Sequence, residues 1–377
     1  MRKIFNYISS MYCLSYTLIF FSCKEYQQIQ ADITVTIPNN KEHLELQDVF
    51  TGFSVIELEN NEKCMLGKVE KMQCTDSMFY IFDRKAMPSL FAFHKDGKFS
   101  RKIGDCGNGR GEYQNIVDFT VDEQKQRIYI LSELPTVIVY STNGDFIKTV
   151  RLSNKSFFRN ILKIKDGFIF STNHLRREEY ERESLLYFFD DDFNMTDRKL
   201  GVLPKPMFQP PFVRYPLQKD GDTVCYYDNF NTCFHFFSIS DISKHKSVAL
   251  YNDRISTYED VISERFFKNA TDYDEITREY YANGTVYGWG NFFGVYNIFL
   301  YDTKRNTLKV SRYTDWNPNI MDYRDCIFYS VISPDVFLNP EMYKSKKTSR
   351  LLERLKDSLS KDYSFNSNFC ILSFKKK

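Results

Sequence analysis

Phe79-Tyr80-Ile81-Phe82-Asp83 returns as Ile128-Tyr129-Ile130-Leu131-Ser132, 49 residues later, and Phe93-His94-Lys95-Asp96-Gly97-Lys98-Phe99 returns as Tyr140-Ser141-Thr142-Asn143-Gly144-Asp145-Phe146, 47 residues later. The two-residue difference is a loop deletion near Pro88. A repeat of this length with several short strands per unit marks propeller blades, each burying its faces against its neighbours. The clearest unit reads as four strands: Ile116–Val121, Arg127–Ser132, Thr136–Ser141 and Phe146–Leu152. Asn143-Gly144 joins the last two, and Asp96-Gly97 does so one repeat earlier; both dipeptides supply the positive φ of a tight hairpin. Short strands with turns every 8–12 residues or so leave no room for strand–helix–strand units.

Weaker copies follow. The third unit uses Ile161–Lys165, Phe168–Thr172, Leu185–Asp190 and Met195–Leu200. The fourth contains Thr223–Tyr227 and Thr232–Phe237, the fifth Tyr296–Asp302 and Thr307–Tyr313. The sixth begins near Cys326 and ends with Phe369–Phe374, without an obvious last strand. Gly52–Leu58 is an orphan strand that supplies it, so that the two ends overlap and close the ring. The predicted fold is therefore all-β: a six-bladed propeller closed by N- and C-terminal strands. Two helical insertions are expected, at Ser349–Ser360, where Leu351, Leu352, Leu355 and Leu359 share one face, and at Tyr258–Asn269.

Composition agrees. The 377 residues include 35 Phe and 26 Tyr against two Trp, types that favour pleated, half-buried surfaces. Hydrophobic residues at 42% and charged residues at 27% exclude disorder as the dominant state. The net charge of +2 lacks the basic footprint of a nucleic-acid binder.

Arg2 and Lys3 precede an uncharged run from Ile4 to Ser22, densest in apolar residues at Leu18–Phe21, with Cys23 directly after Ser22. This order is that of a secretory signal. Cys23 stands where the acylated cysteine of a lipobox stands, although Phe20 and Phe21 replace its usual residues; an uncleaved anchor or a plain signal peptide is the alternative. The expected organisation is a signal peptide at 1–22, a lipidated tether at 23–47 and the propeller at 48–377, with an outer-membrane lipoprotein facing the periplasm or the surface. The seven later cysteines have no Cys-x-x-Cys spacing, and several fall in apolar runs, so they read as buried free thiols.

Val55–Glu59, Tyr80–Asp83, the turn Asp96–Phe99 and the loop Gly104–Tyr113 resemble the six-bladed β-propeller lipoproteins of Gram-negative anaerobes, which are similar to the NHL-repeat propellers. The closing Asn366–Lys375 is similar to that family's Asn-Pro-containing last strand, with Phe369 where Pro is usual. The resemblance implies fold and envelope location and no known activity.

Candidate sites are sparse. The loop Gly104–Gly111 has four glycines but lacks Gly-Lys-Ser/Thr and a following helix, so it reads as a blade connector rather than a phosphate cradle. Arg110 and Glu112 lie in it, as an inter-blade bridge or a ligand clamp. Arg176 and Arg177 begin a mixed-charge loop in blade three expected to open on the same face. Asp190-Asp191-Asp192 lacks the spacing of a calcium loop and reads as a turn. The five histidines show no paired spacing, and no Gly-x-Ser-x-Gly elbow occurs. Tyr287–Phe293 reads as inter-blade core rather than a sugar-stacking face. No cofactor or metal site is expected. The reading is a non-catalytic binding or scaffold module for an envelope protein, peptide or glycan, with Arg110, Glu112, Arg176 and Arg177 as contributors. The alternative is a metal-dependent, lactonase-like hydrolase or lyase with its site at the axial channel.

Overall fold

Alternating strands and glycine turns build six antiparallel four-stranded blades of a propeller, one of them extended by a fifth strand, in the computed structural model, which describes residues 31–39, 43–84, 88–132, 136–152, 157–172, 184–202, 215–255, 273–312, 316 and 318–377. The innermost strands are β3 (Val69–Cys74), β7 (Asp118–Asp122), β11 (Asn160–Ile164), β15 (Leu217–Asp220), β19 (Glu275–Ala282) and β23 (Asp322–Arg324). Blades one to five each run outward in chain order from these strands.

Blade six differs, as the orphan strand predicted. β2 (Phe50–Glu57) pairs antiparallel with β25 (Cys370–Lys376), itself paired with β24 (Ile327–Ile332). The first and last strands thus share one sheet. Gly97 in the blade-one hairpin shows how closely the join is packed. Its φ is +87°, and a Cβ there would sit 2.0 Å from the Glu57 carbonyl oxygen of β2.

Six apolar clusters fill the six interfaces between neighbouring blades. This is where the Phe and Tyr surplus goes. At the join, Phe374 is fully buried and meets Phe50 edge-on at 4.8 Å between ring centroids, with Phe328 stacked at 5.7 Å. Tyr287, Trp289 and Phe292 are buried, as the core reading of that segment required.

Predicted strands in the clear blades stand within a residue or two of those observed. One strand escaped the sequence reading. Within the segment expected as a tether, β1 (Ile33–Thr36) pairs parallel with β18 (His245–Tyr251), the outer strand of blade four. The chain then reaches blade five, where Leu44 N–H donates to Ser311 Oγ at 2.5 Å, before entering α1 (Leu46–Val49) and β2. A strap therefore covers the outer edge of blade four and touches that of blade five before the chain becomes the outermost strand of blade six; the edge of β18 would otherwise be an open row of donors and acceptors.

The C-terminal helix is present as expected. α3 (Lys346–Lys356) follows α2 (Pro334–Leu338) and starts three residues before the predicted Ser349, because Ser345 Oγ accepts from Thr348 N–H and caps it. Leu351, Leu352 and Leu355 are buried on blade six. The predicted helix at Tyr258–Asn269 lies outside the described residues, and no described helix is long and apolar enough to cross a membrane.

Phe374→Ala should cost about 3–5 kcal/mol, since it empties a fully buried aromatic site at the join. Urea unfolding midpoints check this against Phe365→Ala, which removes a 63% exposed ring and should change little.

Candidate functional site

An inner strand has a partner on its outer side alone, so its other row of N–H and C=O groups needs bonds from elsewhere. Polar side chains of the inner strands supply them, blade to blade. The Gln73 amide accepts from Val121 N–H at 2.9 Å and donates to the Val121 carbonyl at 3.3 Å. Asp118 accepts from Ile161 N–H at 2.9 Å, and Thr120 accepts from Lys163 N–H at 3.1 Å. Lys219 donates to the Lys163 carbonyl at 3.1 Å, and Gln218 accepts from Tyr281 N–H at 2.6 Å. Tyr280 OH donates to Asp322 at 3.1 Å, and Asp322 accepts from Cys74 N–H of blade one. The ring is complete.

These strands enclose an axial cavity of about 1170 Å³ to which all six blades contribute. Charges of both signs line it. Lys71 Nζ lies 2.6 Å from Asp118 and between the rings of Phe119 and Tyr215, at 5.3 and 5.4 Å from their centroids. Lys163 lies 3.5 Å from Asp122 and 3.2 Å from Asp191, and Lys125 bonds Asp191 at 2.6 Å. At the blade-six side Arg324 reaches Glu123 at 2.7 Å and pairs with Asp76, spanning blades six, one and two.

Glu279, Asp322 and Lys219 of the cavity wall are displaced toward neutral pH. Burial pushes Glu279 up to about 8, opposed by the nearby Gln218 amide. Both Glu279 carboxyl oxygens are buried and complete no hydrogen bond to a described residue. Burial likewise raises Asp322 to about 6, although three donors and the Lys71 charge pull it down. Asp322 is enclosed by protein while still touching the water-accessible channel, as a wall residue must be. Lys219 is pushed below the usual lysine range by burial first and by the Lys163 charge second. A neutral carboxyl beside a weakened ammonium can both donate and accept hydrogen bonds at low desolvation cost.

The residues singled out from sequence lie elsewhere. The Gly104–Tyr113 loop is a connector, between β6 (Phe99–Ile103) and β7. Glu112 folds back to accept from Gly109 N–H at 2.7 Å, and Arg110 lies 5.7 Å over the Phe146 ring. Neither lines the cavity. Cys23, Arg176 and Arg177 lie outside the described residues. Asp190 caps its own turn, accepting from Asp192 and Asn194 N–H, as the turn reading held, while Asp191 reaches the channel charges. Histidines ten apart in sequence also meet: His235 Nδ1 and His245 Nε2 are 3.0 Å apart across the hairpin of β17 (Cys233–Ser238) and β18. Five of the seven later cysteines are buried; Cys106 is half-buried and Cys326 is exposed. Among the described residues no three His, Cys, Asp or Glu side chains converge to hold a metal ion.

Ring, closing strand and polar channel define a six-bladed β-propeller with an axial pocket. The chain belongs to the family described as Domain of unknown function (DUF4934), whose model matches residues 28–374. A crystal structure of a candidate exported protein from Bacteroides fragilis is similar, with a TM-score of 0.68 and 17% identity over 91% of this chain and 99% of that one. BamB from Moraxella catarrhalis aligns at a TM-score of 0.40 and 14% identity, over 70% of this chain and 68% of that chain. No curated protein matches the sequence.

An acid whose pKa is raised by folding holds its proton more tightly in the folded state, so stability falls as pH climbs from the unfolded value to the folded one. For Glu279 that window runs from 4.5 to about 8, and for Asp322 from 3.8 to about 6. Glu279→Gln should therefore flatten the decline of stability between about pH 6 and 8, by on the order of a few kcal/mol. Urea midpoints of both proteins across that range measure it.

Proposed function

We propose that the protein is an envelope binding module that seats a small polar ligand, a peptide or glycan fragment, in the axial channel. The supporting observation is Glu279: a buried carboxyl facing a solvent-accessible cavity, with neither oxygen hydrogen-bonded to a described residue. Native structures seldom leave such groups unsatisfied, and a ligand hydroxyl or amide would complete them. Rigid inner strands, rather than loops, carry the groups, which favours a pre-organised site. Arg110 and Glu112 of the connector before β7 are candidates for a second recognition edge for a larger partner, to which the sequence adds Arg176 and Arg177.

The anchor in this reading is Cys23, acylated after signal cleavage, in an outer-membrane lipoprotein akin to the NHL-like propellers. Its location draws support from the Ser22-Cys23 junction and from the candidate exported protein that shares the fold. Several acyl chains on one residue give stable anchoring, so Cys23→Ala should move the protein from the membrane to the soluble fraction. Fatty-acid labelling that survives in the variant overturns this assignment.

The ligand test is native mass spectrometry of purified protein incubated with peptide and oligosaccharide digests of cell envelope. Wild type should retain a small adduct, and Glu279→Leu should weaken it about 5- to 150-fold, the cost of about 1–3 kcal/mol for leaving a buried polar group of the ligand without its partner. An Arg110/Arg176/Arg177 triple alanine variant should keep it. Loss in the triple variant with retention in Glu279→Leu would move the site to the connectors, and turnover of the adduct would replace binding by catalysis.

A further inference from the structure

Cys74 ends the innermost strand of blade one, and Lys95 opens the turn after β5 (Ser89–His94) of the same blade. Sheet geometry brings both to one corner, on the side packed against blade six. There Lys95 Nζ lies 2.6 Å from Cys74 Sγ. The sulfur belongs to a residue only 4% exposed, and the nitrogen sits over the rings of Phe79 and Tyr329, at 4.3 and 5.1 Å. No described carboxylate lies within ion-pair distance of Lys95.

A hydrogen bond to the larger sulfur atom should be longer than the usual N–H···O separation of about 2.9 Å. The observed 2.6 Å is shorter than that and far inside the resting contact of unbonded nitrogen and sulfur. It is also too long for a direct S–N bond. It matches the span of two atoms bonded to a single oxygen between them. The aromatic box holds the amine against the thiol, while Cys74 also lines the axial cavity, through which a small oxidant reaches the sulfur.

We propose that Cys74 and Lys95 are an oxidative modification site, joined as an Nζ–O–Sγ crosslink. The S–H bond and one N–H bond break, and one S–O and one N–O bond form. Sulfur and nitrogen each give up two electrons to dioxygen; one of its oxygen atoms stays in the bridge and the other leaves as water. Peroxide serves equally in two steps. The first equivalent converts the thiol to sulfenic acid and water, the first rung of cysteine oxidation. The second closes the bridge with loss of two waters. A thiol reductant supplying four electrons returns thiol, amine and water.

The position gives the bridge a consequence. Cys74 N–H bonds Asp322 and its carbonyl accepts from Arg324 at 3.5 Å, both on the inner strand of blade six. The crosslink would fasten this junction to the outer part of blade one and so stiffen the seam where the ring closes.

The test uses the mature protein prepared without oxygen and under reductant, then exposed to air or dilute peroxide and digested for mass spectrometry. The peptides carrying Cys74 and Lys95 should emerge joined, heavier than their sum by one oxygen less two hydrogens, and should separate with dithiothreitol. Cys74→Ser and Lys95→Arg should each abolish the joined species while retaining cooperative thermal unfolding by circular dichroism. Absence of the joined species, a join lacking the oxygen, Cys74 as sulfinic acid beside an unmodified Lys95, or an equivalent crosslink persisting in folded Lys95→Arg would each overturn the proposal.

Discussion

The propeller depends on how the unpaired edges of its inner strands are satisfied. Six strands converge on an axis where no further strand can pair with them, and a buried N–H or C=O left without a partner costs about 1–3 kcal/mol. Side chains perform the pairing instead. Gln73, Asp118, Thr120, Gln218, Lys219 and Asp322 each reach a backbone group of a neighbouring blade. The requirement explains why strands otherwise rich in apolar residues carry long polar ones nearest the axis. It also separates channel residues committed to the frame from those left over. Glu279 is the clearest remainder: its backbone carbonyl accepts from Gln218, while its carboxyl caps nothing among the described residues.

Apolar packing supplies the complementary constraint. Each cluster joins two adjacent blades, so a blade is stable only between two neighbours, and the ring must close. Closure falls to β2 and β25, which place residues more than 300 positions apart in direct register, Val55 opposite Leu372 and Ile56 opposite Ile371. Such distant pairing carries a chain-entropy cost that grows only slowly with loop length. The aromatic packing of Phe50, Phe328 and Phe374 offsets it locally. The N-terminal strap extends the same economy outward. Asp32 accepts from Ser247 N–H and Oγ, which holds its carboxyl below the usual range and fixes the start of β1 against blade four.

The architecture was legible because it is written in local signals. Asn143-Gly144 and Asp96-Gly97 mark hairpins, the aromatic runs mark strands, and the offset between copies marks the blade. Gly52–Leu58 could be assigned to blade six because a ring with an incomplete last sheet needs one more strand. The strap was not legible: Ile33–Thr36 is four residues long, and what makes it a strand is the exposed edge of β18, over two hundred residues away. The channel was hidden for the same reason. Lys71, Gln218, Glu279 and Asp322 look like ordinary alternating polar positions, and their convergence is produced by ring geometry, which a linear spacing cannot show. Arg110 and Glu112 stand out in the sequence because a four-glycine loop is conspicuous, yet Glu112 serves that loop by accepting from Gly109.

The buried charges then divide by consequence rather than by strength. Removing two ions from water costs several kcal/mol per ion before their attraction returns anything, so a buried pair is poor evidence of net stabilisation. Lys163, Asp122 and Asp191 instead fix geometry, tying blade two to the turn of blade three beside the channel. Arg324 does the same at the opposite side, holding Glu123 and contacting the Cys74 carbonyl. Asp322 stands between these roles. It caps Cys74 across the closing seam, accepts from Tyr280, and titrates near 6 because the channel wall denies it full hydration. The junction that completes the ring therefore also carries a channel acid displaced toward neutral pH, so closure and any chemistry of the cavity meet on one inner strand.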